Sequence, residues 1–157
     1  MQTQRLRRQA NGLIIGFGLQ FVFGMVLNLF VELPSKHSGT SGAYVTKLWD
    51  SLIWTLTLGG GWTLFFHVVI ALALLLGSLS LFVAALRARS KLWGWVSGFA
   101  ALFTLTALLD GLDFASSGND KMSLAMAFGW LLAVGLLVFG SVKTSKSSKV
   151  TLGSKQR

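Results

Sequence analysis

SLIWTLTLGGGWTLFFHVVIALALLLGSLSLFVAAL, residues 51–86, contains no Asp, Glu, Lys or Arg. As one continuous helix its 36 residues would measure about 54 Å at 1.5 Å per residue, against a hydrocarbon layer of about 30 Å. The stretch must break, and Gly59, Gly60 and Gly61 mark the place, since each glycine costs a helix about 1 kcal/mol relative to Ala. Beyond the break, residues 62–86 predict a membrane-crossing helix with Trp62 at interface depth. Before it, Val45, Leu48, Trp49, Leu52, Ile53 and Leu56 recur at helical spacing, while Lys47, Asp50, Ser51 and Trp54 tend to the opposite side. That pattern predicts an amphipathic helix over about 43–58, lying in the outer head-group region or covering the mouth of the bundle.

Outward from this stretch, 9–31, 92–109 and 122–142 are equally free of charge. They predict further spans at about 12–31, 93–113 and 122–142, the first read as a retained helix because Glu32, Leu33 and Pro34 follow it in place of a small-residue cleavage pattern. The expected fold is an all-α integral membrane protein, a four-transmembrane-helix antiparallel bundle with an additional outer-face amphipathic helix. Residues 1–142 form the single membrane domain. The Ser/Lys-rich segment 143–157 is expected to be a flexible basic tail, and 35–42, rich in Ser and Gly, a flexible outer loop. With 53% hydrophobic residues a chain of this size has too little polar surface for a water-soluble domain. The absence of cysteine removes disulfides, thiolate metal sites and thiol nucleophiles.

The formal net charge of +9 is sorted rather than spread. Arg5, Arg7, Arg8, Arg87, Arg89, Lys91, Lys143, Lys146, Lys149, Lys155 and Arg157 fall on one side of the four spans; Lys36, Lys47, Lys121 and all the acidic residues, Glu32, Asp50, Asp110, Asp113 and Asp120, fall on the other. The positive-inside rule places both termini and the loop 87–91 in the cytoplasm, and the protein in the inner membrane. The basic flanks then serve anionic lipid head groups, and nucleic-acid binding is not expected.

Polar residues within the spans are the candidates for function, because hydrocarbon tolerates them only where they find partners or line a cavity. Depth counted from the helix ends brings Asn28, His67 and Asp110 toward one outer layer, with Asp113 one turn from Asp110. This layer is the candidate ligand-binding or proton-responsive site; its bland counterpart is a His67 ring hydrogen-bonded to Asn28 or Asp110 that merely fixes packing. Met25, Met122 and Met126 lie at similar levels, so His67 with Met25 or Met126 would be the pair to hold haem or copper(I). Thr104 and Thr106 add polar capacity, although threonine also bonds its own helix backbone. Replacing His67 is expected to disturb the outer half more than replacing His37, which falls in the loop. Gly12 and Gly16 form a small-residue step for helix packing.

No phosphate-binding loop, zincin motif or nucleophile elbow is present. The expected role is therefore non-enzymatic: a small bundle that binds another membrane protein, a second copy of itself or a small ligand. The alternative is a transport or membrane redox component using the His/Asn/Asp layer.

Overall fold

The computed structural model of the protein describes residues 2–34 and 36–153. Among them the backbone forms five helices, α1 (Gln2–Phe30), α2 (Tyr44–Leu56), α3 (Gly61–Arg87), α4 (Lys91–Ser117) and α5 (Asp120–Gly153). Four of these, α1, α3, α4 and the Asp120–Ser145 part of α5, are long and apolar enough to cross a membrane.

Every long helix overruns its predicted limits at one end or both. α1 starts ten residues before Gly12 because Leu6 and Ala10 are buried in the same core as Ala85 and Trp93; packing carries the helix through its arginines. Near the start of α4, Trp93 is fully buried and Trp95 is exposed. α5 continues as helix to Gly153, into the segment read from sequence as a tail, while residues 154–157 lie outside the described ones.

The helix boundaries follow local chemistry. α2 closes at Thr57, whose hydroxyl donates to the carbonyls of Ile53 and Trp54, satisfying groups the helix end leaves bare. The chain then reverses through Leu58 at φ 66 and enters α3 at Gly61, φ 80. α4 ends at Gly118 in the left-handed conformation, φ 64, the usual glycine termination.

α1 packs on α3 and α5, and α4 packs on α3 and α5, so the four long helices close a ring in the order α1, α3, α4, α5; α2 rests on α3 and α4. Glycines set the close approaches. A Cβ on Gly16 would stand 2.8 Å from Leu74 Cδ2, and one on Gly77 2.7 Å from Leu13 Cδ2. Gly12, the partner of Gly16 in the predicted step, faces open space. On the other side of the ring, Gly129 of α5 lies so near α4 that a Cβ would stand 3.0 Å from the Phe103 carbonyl oxygen. Gly140 meets Trp93 and Val96 of α4 in the same way. The core of Leu6, Ala10, Leu81, Ala85, Trp93, Val96 and Leu137 gathers at the end of the ring that carries the arginines of α1 and α3.

α2 matches its predicted extent and is turned opposite to ordinary amphipathic packing. Ser51 and Thr55 are buried, whereas Val45, Trp49 and Ile53, one turn apart, are exposed. The small polar side meets the protein because it allows close approach: a Cβ on Gly39 would fall 2.7 Å from the Ser51 backbone nitrogen. Val45, Trp49 and Ile53 are left outward, while Leu48, Leu52 and Leu56 of the predicted stripe are half-buried.

Candidate functional site

The α1–α3 contact that seats Leu74 on Gly16 also decides what His67 touches. Continuing along the two helices, Gly24 comes opposite His67, with a Cβ there only 3.3 Å from ring atom Cε1. Gln20, one turn back along α1, donates through Nε2 to His67 Nε2 at 3.1 Å. The hydrogen-bond partner of His67 is thus Gln20, not Asn28 or Asp110. Asn28 lies one turn beyond Gly24, about 6 Å farther along the axis, and is exposed.

The pair is incompletely satisfied. With Gln20 donating, His67 Nε2 is the acceptor and the ring proton sits on Nδ1; Nδ1 and Gln20 Oε1 are both buried and without partners. Turning the amide over, so that Oε1 accepts from Nε2–H, satisfies that oxygen and leaves Nδ1 as a bare acceptor. Either way one polar edge of the ring faces α1 unpaired. Such a group costs about 1–3 kcal/mol to bury, so the site trades stability for polarity within an apolar span.

The remaining candidates are dispersed over other helices. Asp110 and Asp113 are partly buried on α4, and Ser116 donates to the Asp113 carbonyl at 2.9 Å and reaches its carboxylate at 3.4 Å. Thr104 and Thr106 bond the carbonyls of Ala100 and Phe103, which occupies both hydroxyl protons within the helix. Met25 is 44% exposed on α1, and the Met126 sulfur lies against Gly111 of α4, 3.0 Å from the position of a Cβ there. Among the described residues no cluster of three or more His, Asp or Glu side chains is placed to hold a metal ion.

Sequence reading passed over two side-chain contacts. Gln20 carried a usable signal, an amide deep within an uncharged apolar run, where a polar group needs a partner. His37 carried none, because its partners come from distant elements. Its Nδ1 lies 2.6 Å from the Ser38 carbonyl and its Nε2 2.9 Å from the Ala115 carbonyl near the end of α4. Its ring stacks on Trp54 of α2 with centroids 3.8 Å apart. The loop read as free is therefore a clasp joining α2 to α4. A doubly protonated ring donates to both carbonyls, a neutral one to a single carbonyl.

Comparison of the chain with protein-family models, with curated proteins and with solved structures finds no match.

Proposed function

We propose that the protein is a multi-pass bundle of the cell inner membrane that binds another membrane protein and has a non-enzymatic, accessory role. The observation that carries this reading is the outward-turned apolar stripe Val45, Trp49 and Ile53 on a helix held to the bundle by its polar side. At 13 residues α2 is about 20 Å long, too short to cross the membrane. Its stripe is therefore presented beside the bundle, where an apolar surface of a partner would cover it.

The contacts of Gly16 with Leu74 and Gly77 with Leu13, and of Gly140 with Trp93 and Gly129 with Phe103, support an antiparallel arrangement: in each pair of contacts, the higher number on one helix meets the lower on the other. Charge sorting supports cytoplasmic termini. Membrane lipids would cover the rest of the apolar exterior.

Photo-crosslinking in native membranes tests the partner. A photoreactive residue at Trp49 should yield a protein adduct of discrete mass that weakens with Val45→Ser and Ile53→Ser, and one at Leu76, exposed on α3, should yield lipid adducts. Lipid adducts alone at both positions would overturn the reading.

A second reading, a transport or membrane redox component, is favoured by the unpaired polar edges of His67 and Gln20, with Asn28 and Asp110 as further polar groups of the same bundle. Visible absorption and metal analysis of the purified protein test the haem and copper versions. Proteoliposome flux in wild type and His67→Ala tests transport.

A further inference from the structure

We infer that the groove between α3 and α4 is a binding site for an anionic diacyl phospholipid, its phosphate at Arg89 and Lys91 and one acyl chain lying along the groove. The inference rests on the membrane placement proposed above and is independent of what covers α2.

The groove opens at the α3–α4 turn as a cavity of about 630 Å³ lined by Arg89, Lys91, Gly94 and Phe82 among others. It runs on into a second cavity of about 310 Å³, with which it shares Phe82, Gly98 and Leu102, and which reaches Leu75 and Leu105. From Lys91 to Leu105 is about 21 Å along α4, and one leaflet of hydrocarbon is about 15 Å deep, half of the roughly 30 Å layer. The groove is thus as long as a head-group contact followed by a single leaflet's acyl chain.

Its two ends differ in chemistry. The mouth is cationic, since residues 87–91 read Arg, Ala, Arg, Ser, Lys with no acidic residue. The body is hydrocarbon, with Leu79, Phe99, Leu102 and Leu105 all substantially exposed along it. This sequence of charge, then apolar wall, is complementary to an anionic lipid and offers a neutral head group no counter-charge.

Glycine spacing makes the channel. Gly94 and Gly98 are one turn apart on α4. A Cβ on Gly94 would meet nothing within 4 Å, and one on Gly98 would stand 3.1 Å from Phe82 Cε2. Gly94 therefore leaves the groove open, and Gly98 lets Phe82 form its floor. A channel cut by single missing side chains between two directly packed helices suits an acyl chain; an α-helix, about 10 Å across, does not fit in it.

Native mass spectrometry of the full chain, titrated with phosphatidylglycerol or phosphatidylcholine of identical acyl chains, tests the assignment. Phosphatidylglycerol should be retained more strongly, by about fivefold for each cationic side chain engaged. Arg89→Gln with Lys91→Gln should abolish that preference while leaving weak binding of both lipids. Gly94→Leu, which enters open space and leaves the helix packing alone, should lower retention of both. Equal retention of the two lipids by wild type, an undiminished preference in the double variant, or unchanged retention in Gly94→Leu would each overturn the site. Failure of the membrane placement would register separately, as release of the protein from membranes by carbonate without detergent, and failure of the partner reading as lipid-only adducts at residue 49.

Discussion

The two histidines show how far a residue's surroundings outweigh its position in the chain. His67, inside a span, was the residue to suspect from sequence, and the structure gives it a single hydrogen bond, to Gln20. Side-chain hydrogen bonds between membrane helices contribute about 0.6 kcal/mol on average, and this one leaves polar atoms unpaired. His37, in a stretch of small polar residues, contacts two carbonyls and a tryptophan face. One such hydrogen bond is worth about 0.5–1.5 kcal/mol, and the stack adds to it. We therefore expect His37→Ala to destabilise the α2 end of the bundle by about 1–3 kcal/mol and His67→Ala by less than about 1 kcal/mol, the reverse of the order expected from sequence. Unfolding of the wild type and both variants in the same lipid, followed by tryptophan fluorescence so that Trp54 reports on the clasp, gives the comparison. A larger loss in His67→Ala would restore the sequence-based order.

At the scale of elements, what was legible is what the solvent dictates. Uncharged runs long enough to span, the Gly59–Gly61 break and the 3.6-residue recurrence in about 43–58 all follow from transfer free energy and backbone propensity, which act on a segment alone. Which way a helix faces is a property of pairs and was not legible. Thus α2 buries Ser51 and Thr55 fully and leaves Val45, Trp49 and Ile53 of its apolar stripe exposed, and Gly16 of the Gly12/Gly16 step receives Leu74 while Gly12 receives nothing. The same limit explains Gln20: its depth was readable, but its partner depended on the α1–α3 register. The glycine contrast is measurable. Gly129→Ala pushes a methyl toward a backbone oxygen that cannot rotate away, so a net loss of roughly 1–2 kcal/mol is expected after the gain in helix propensity is subtracted. Gly12→Ala meets open space and should stabilise by about 0.4–1 kcal/mol. Equal thermal stability of these two variants would mean that α4 and α5 do not approach as closely as the Gly129–Phe103 contact requires.

For the whole molecule, the orientation proposed in a membrane follows from the charges that the fold leaves at its two ends. The arginines of α1 and the α3–α4 turn lie at the end of the ring where Leu6, Ala85 and Trp93 pack, while Asp110 and Asp113 lie toward the other end of α4, with the His37 clasp at Ala115. Translocating the arginine-bearing end would carry a concentrated positive charge across the bilayer, and retaining it costs nothing, so the basic end should stay in the cytoplasm. The native chain has no cysteine, which makes single-cysteine labelling unambiguous. In intact cells a membrane-impermeant maleimide should label Ser41→Cys and Asn119→Cys, in the turns flanking α2 and joining α4 to α5. It should leave Gln4→Cys and Ser90→Cys unlabelled until the membrane is permeabilised. The opposite pattern would invert the protein and put the cationic mouth of the α3–α4 groove in the outer leaflet. Labelling of Ser90 together with Asn119 in intact cells would mean that α4 does not cross the bilayer at all.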